Sequence, residues 1–482
     1  VSIFVEALES LPTLSFEDLE NANLILMVGT DASASVPALS VSVRKALKKG
    51  ANLVVIDSRK TKEAEVSTLH LAPKLGKEGA VLRAIARTML DKGLYNKDFV
   101  EGKISNLKEF KKFISESAKE IKEMGVSGKD IEKAAELYGE LNKQAVIVFS
   151  PERSDSEIVS SVLNLLLLTG RIDKGLLPAL LVANLRGAIE LGAMPNYLPG
   201  YEPISEEGLS ALEMLKEDSP ILGMYILGGN PVVSFPEKKQ AEDALSSLDF
   251  LVVQDIFLTE TANLAHVVLP GLSFAETTGT VKNMEGKIKE FNPAIASTGK
   301  ADWQIIVELA KEMGCSMKYP SENEIRKEIE SSLSERKKGK KNDKFALNLT
   351  LERPAEKESK EFPFSLLTGA SRFRFYDGIR SNKSKLAQLE PYEGNYVGIN
   401  QADATSLSVK EGMEVVVSTK KGKIKARAKI DSSLPGRAIF MPANTKELEG
   451  LIEIKIDLRT KVRKVSVLAA NVSLANTKKE EK

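Results

Sequence analysis

The sequence predicts an α/β fold: two copies of a strand–turn–helix–strand unit, then a β-rich C-terminal region. Short apolar runs without polar alternation, such as Leu251-Val252-Val253, suit parallel strands covered on both faces. In each unit a first run leads into a glycine turn and a helix-period segment, and a second run closes on an acid. After Pro363 the pattern changes to short strands separated by turn residues.

The first unit reads as a strand at Leu24 to Val28, a glycine turn, and an amphipathic helix ending near Gly50. A second strand from Asn52 to Ile56 follows, closed by Asp57. The second unit runs from the strand Met224 to Leu227 through Gly228-Gly229-Asn230-Pro231 and a helix to a strand ending at Asp255. An acid is costly inside a covered strand, so Asp57 and Asp255 belong at carboxyl ends, as counterparts in a repeat. They lie 28 residues beyond Gly29 and 26 beyond Gly229. In open α/β sheets ligands bind beyond the carboxyl ends of strands, with phosphate near the first turn and an acid farther along. Two nucleotide-like sites are therefore expected, with Arg59 approaching the first. The same pattern equally suits plain Rossmann-like units whose glycines only make tight turns and whose acids only cap loops, since G-x-G-x-x-G is absent.

Composition narrows the classes. The 482 residues, 42% hydrophobic and 28% charged, fit a soluble globular protein of several domains. A net charge of +1 offers no field for nucleic acid or acidic membranes, and no apolar run is long enough to insert in a bilayer. Cys315 is the single cysteine, so this chain's own thiolates build no disulfide framework, zinc site or iron–sulfur cluster. A reducing, cytoplasmic compartment is expected, and a start at Val1 suggests a fragment or processed chain. Residues 318–361 read as a charged, solvated linker with the basic cluster at 335–341. The stretch 304–317 reads as an amphipathic helix with Cys315 packed at its end, and His266 as a structural histidine in a buried stretch.

Six segments occur in a characteristic order: "LTGRIDKG", "NLRGAIELGAMPNYLPGY", "GGNP", "LVVQDIFLTETANLAHVVLP", "SFAETTGTVKNMEGKIKEF" and "KADWQI". Together they resemble the molybdopterin oxidoreductase family, which includes formate dehydrogenases and the large iron–sulfur subunit of bacterial NADH:quinone oxidoreductase. The resemblance implies two formate dehydrogenase-type α/β domains at 1–186 and 187–317, and a closing β-barrel at 362–482. It implies a bis-molybdopterin guanine dinucleotide with Mo or W; the segments that carry the metal ligand and the cluster cysteines in catalytic members have no counterpart here, so no metal ligand is expected from this chain and iron–sulfur clusters only on a missing segment or partner chains. By motif, one nucleotide site takes Gly29, Thr30, Asp31, Asp57, Ser58, Arg59, Gly76 and Glu78. The other takes Gly228, Gly229, Asn230, Pro231, Gln254, Asp255 and Thr259, with Thr259 facing the ligand mouth.

Departures from the family matter too. Arg186 matches the active-site arginine of formate dehydrogenases, but the polar loop after it is shortened to Gly187-Ala188-Ile189, and the barrel lacks the histidines of catalytic members. With only His70 and His266, proton-transfer groups are scarce. The expectation is a scaffold for electron transfer in the peripheral arm of a respiratory NADH:quinone oxidoreductase, held near the inner membrane by partner subunits that include iron–sulfur proteins. The alternative is the metal-binding portion of a formate dehydrogenase-type enzyme, where Arg186 is catalytic.

Overall fold

A computed structural model describes residues 14–151, 154–235, 237–334, 344–351, 358–369, 379–383, 396–442, 448, 450–452, 455–456, 463–464 and 467–475. The basic cluster at 335–341 lies outside the described residues. The chain divides into two compact units, residues 1–182 with 341–482, and residues 183–340. The C-terminal barrel thus shares a unit with the first α/β sheet.

The first unit contains a parallel sheet of β1 (Leu24–Val28), β2 (Asn52–Ile56), β3 (Leu69–Leu71), β4 (Ala145–Phe149) and β5 (Leu176–Pro178), in the order β3-β2-β1-β4-β5. All five residues of β1 and of β4 are buried, as expected of strands covered on both faces. The crossover segments carry helices α1 (Pro37–Lys48), α2 (Glu78–Lys92), α3 (Gly128–Gly139) and α4 (Ser156–Thr169). Every residue of α4 is buried, and its stretch from Val162 to Leu168 is apolar apart from Asn164. Arg171, in "LTGRIDKG", donates to the carbonyls of Tyr138 (2.7 Å), Glu140 (2.7 Å) and Lys143 (3.0 Å), so it closes the carboxyl end of α3.

The second unit begins with α5 (Leu185–Glu190) and holds a parallel sheet of β6 (Gly223–Leu227), β7 (Phe250–Asp255) and β8 (Val267–Pro270), ordered β8-β7-β6. Helix α6 (Lys238–Ser246) and the turn Pro231–Ser234 cover one face through Val232, Ala241, Leu245, Leu251 and Val253. A hairpin of β9 (Gly279–Lys282) and β10 (Ile288–Phe291) and helix α7 (Asp302–Glu312) follow. Cys315 is exposed rather than packed at the helix end; its backbone N–H closes the helix by donating to Ala310 (2.8 Å).

The segment expected as a solvated linker is held to the fold where it is described. Helix α8 (Glu322–Ser334) is fastened in the second unit by Arg326 to Glu290 (2.6 Å) and Glu322 to Thr278 (2.8 Å). Residues 344–351 run extended on the first unit, where the Asn106 and Asn164 side chains each exchange two hydrogen bonds with the backbone, at Leu347 and Asn348. Buried Leu347 explains why charge alone misreads this stretch.

Six strands close the barrel: β11 (Phe364–Gly369), β12 (Tyr396–Ile399), β13 (Glu414–Ser418), β14 (Lys423–Ile430), β15 (Ala438–Pro442) and β16 (Leu468–Leu474). Their order is β11-β15-β12-β14-β13-β16, and the interior is filled by residues such as Leu366, Val397, Val415, Ile439 and Val472. No helix among the described residues is long and apolar enough to cross a membrane.

Candidate cofactor-binding site

Each α/β unit builds a crevice at its strand ends by the same device. Gly29, at φ 53°, donates its N–H to the carbonyl of Ile56 (2.9 Å), and Gly228, at φ 60°, donates to that of Gln254 (2.8 Å). The following acid then turns the chain: Asp57 Oδ1 accepts from Arg59 N (2.8 Å), and Asp255 Oδ1 accepts from Phe257 N (2.9 Å). Asp57 and Asp255 are structural counterparts. The counterpart of Gly29 is Gly228, not the Gly229 used for the sequence spacing, because only Gly228 takes the left-handed conformation.

In the first crevice Asp31 caps the turn Ala32–Ser35 by accepting from Ala34 N (3.2 Å), and buried Thr30 donates to the Val28 carbonyl (2.9 Å). Arg59 crosses the mouth, its Nη2 3.5 Å from Asp31 and its Nε 3.8 Å from Asp57. Its guanidinium lies 5.3 Å from the Phe440 ring centre on β15, and Lys60 N donates to Ser433 O (2.8 Å). The barrel therefore reaches the first crevice within this unit. Ser58 Oγ donates to Glu78 Oε1 (3.0 Å) where α2 begins, just beyond the left-handed Gly76 (φ 70°). His70 Nε2 meets the Asp57 carbonyl at 2.8 Å. Burial pushes the Asp57 carboxyl up, and burial with the Asp57 and Asp155 charges lifts Glu78 to about 7.

The second crevice has no cation at the position of Arg59, where Phe257 stands. Buried Asn230 accepts from Thr261 N (3.1 Å) and Oγ1 (2.7 Å) and donates to Glu260 (2.9 Å). Fully buried Gln254 donates to Asp302 Oδ1 (2.7 Å) and accepts from the Tyr225 hydroxyl. Thr259, expected to face the mouth, is fully buried and accepts from Ala262 N (3.1 Å). Their polar atoms brace the loop; Gly228, Gly229, Pro231 and Asp255 stay at least partly exposed.

Arg186 is 9% exposed on α5, in the field of Tyr201 and Glu190, and burial draws its pKa down. Lys282 on β9 pairs with Glu190, and its N–H donates to Asn184 (2.8 Å). His266 accepts from Leu251 N at Nδ1 (3.0 Å) and lies against Phe250, so its role is structural, although it is exposed rather than buried.

The acids fit a nucleotide end. Among the described residues no hydrogen bond is made by Oδ2 of Asp57 or of Asp255, and a Cβ at Gly29 or Gly228 would meet nothing within 4 Å. Each crevice thus offers a carboxylate acceptor beside open backbone.

Residues 6–312 match the molybdopterin oxidoreductase family and residues 364–468 the molybdopterin dinucleotide binding domain. The chain belongs to the molybdopterin oxidoreductase family. This member is 31% identical to the F420-dependent formate dehydrogenase subunit alpha of Methanocaldococcus jannaschii, over 95% of the chain and 78% of that protein. It is 27% identical to formate dehydrogenase H of Escherichia coli (89% and 69%) and 26% identical to the assimilatory nitrate reductase catalytic subunit of Bacillus subtilis (95% and 75%). The fold matches acetylene hydratase from Pelobacter acetylenicus at a TM-score of 0.76, 17% identity, and 98% and 81% coverage. These relatives favour the formate dehydrogenase-type alternative over the NADH:quinone oxidoreductase scaffold.

Proposed function

We propose that this chain is the cofactor-binding portion of a molybdenum or tungsten formate dehydrogenase-type oxidoreductase that works with partner subunits, its iron–sulfur clusters lying on a further segment or on those partners. The observation carrying it is 31% identity to a formate dehydrogenase alpha subunit along 95% of the chain. When bound, the pterin cofactor supplies a metal that exchanges electrons with the substrate. The chain's residues hold its nucleotide ends: Asp57 and Asp255 accept from guanine N–H donors, and Arg59 offers a planar cation to a phosphate. Gly29 and Gly228 let the backbone come close to the ligand. Cytoplasmic placement belongs to the same proposal.

A scaffold role keeps one specific support, the scarcity of proton carriers. Both histidines, His70 and His266, are engaged with backbone groups, so neither ring nitrogen pair is wholly free to relay protons. Elemental analysis of the native complex separates the two readings, with about one molybdenum or tungsten per chain expected. If Arg186 holds a substrate carboxylate, Arg186→Ala lowers formate oxidation about a hundredfold or more. Absence of both metals, with electron transfer unchanged by the substitution, returns the scaffold reading.

A further inference from the structure

We propose that Glu63 is a positioning residue for the first crevice, an inner strut that fixes the gap between the glycine turn after β1 and the acid turn after β2. The inference rests on the cofactor-binding reading above. Glu63 lies in the short helical turn Lys62–Glu65, four residues beyond Arg59, and is 2% exposed. Its Oε1 accepts three hydrogen bonds: from Ser33 N (3.1 Å), Ser33 Oγ (2.5 Å) and Ser40 Oγ (2.8 Å). Ser33 belongs to the turn that Asp31 caps, so two of the three bonds seize the segment carrying Gly29, Thr30 and Asp31. The Ser33 hydroxyl contact has the length of a charge-assisted bond.

Oε2, in contrast, is buried with no hydrogen-bond partner among the described residues. A buried carboxyl oxygen without a partner opposes folding, but an apolar side chain would in turn leave the Ser33 N–H and two hydroxyls without their acceptor. What the acid supplies is geometry: a single oxygen gathers a backbone N–H and two hydroxyls from the opposite wall, which no apolar side chain does. Arg59 also spans the mouth, but at 3.5 and 3.8 Å its ion pairs are looser and partly exposed, free to turn toward a phosphate. Glu63 holds the wall while Arg59 exchanges partners.

The test is calorimetric titration of the full chain with GDP as the probe, beside its melting temperature. Glu63→Met, which strands the Ser33 N–H and two hydroxyls, should lower the melting temperature yet leave the chain folded at the titration temperature, where it weakens GDP binding about tenfold or more. Glu63→Gln, which keeps an acceptor oxygen, should restore most of the affinity. Ser33→Ala should weaken binding, whereas Ser40→Ala, on α1, should change it less than about twofold. Should Glu63→Met fold poorly, the Ser33 and Ser40 pair still decides the matter. Unaltered protein that binds GDP while Glu63→Met and Ser33→Ala bind it equally well overturns the strut alone. Unaltered protein that shows no GDP binding overturns the nucleotide site, and the strut with it.

Discussion

Arg83→Met is expected to destabilise the first unit by about 3–5 kcal/mol, because it removes the cation paired with a buried carboxylate. Arg83 on α2 is 3% exposed and forms an ion pair with buried Glu157 in the first turn of α4, tying two helices of the first unit together. Burial draws the arginine's pKa down while Glu120 and Asp155 push it back up, so the cation depends on surrounding acids. The helices approach closely: a Cβ on Gly79 would sit 2.5 Å from Glu157 Oε1. Deleting one partner leaves the other charge buried without that attraction, but replacing both with apolar residues removes the desolvation cost as well. The double variant Arg83→Met with Glu157→Leu should therefore recover most of the loss in urea unfolding. Additive losses in the double-mutant cycle would show that the pair is uncoupled.

Replacing Glu78 should change how stability depends on pH. Its folded pKa, about 7, lies above the ordinary 4.5, so the native state favours the protonated carboxyl. That contribution is fully present below about pH 4.5 and is lost as pH rises through 7. Above pH 7 the charged group opposes folding by roughly 1–3 kcal/mol, the lower end reflecting its partial exposure. Around it Asp57 and Asp155 oppose the charged form, while its own backbone N–H and the Ser58 hydroxyl favour it without offsetting burial. Glu78→Gln should thus match the unaltered protein near pH 4.5 and exceed its stability at pH 8. Parallel stability curves from pH 4.5 to 8 would refute this account.

The crevices show how far local patterns reach. Buried strand runs announce themselves, since β1, β2 and β4 need only consecutive apolar residues, and an acid ending such a run marks where the cover stops. Asp57 and Asp255 were legible as counterparts for that reason. The glycine was not, because Gly228 and Gly229 are equivalent letters until backbone φ separates them. Asn230, Gln254 and Thr259 read as ligand-facing polar residues. The structure engages them with Glu260, Thr261, Tyr225, Asp302 and Ala262, most of them some 30 to 50 residues away for Asn230 and Gln254. Glu63 carried no motif at all, its signal being an acid at a fully buried position, visible only after folding.

By itself the sequence determined the α/β class, the repeat, the β-rich end and the acids at strand ends, because periodicity and burial are written into neighbouring residues. Only the tertiary structure decided that the barrel strands close in the order β11-β15-β12-β14-β13-β16, that residues 344–351 are strapped to the first unit by Asn106 and Asn164, and which polar atoms remain open to a ligand. Those outcomes depend on hydrogen bonds between residues far apart in the chain. A residue's local pattern states whether it is buried, and only the folded neighbourhood states with whom.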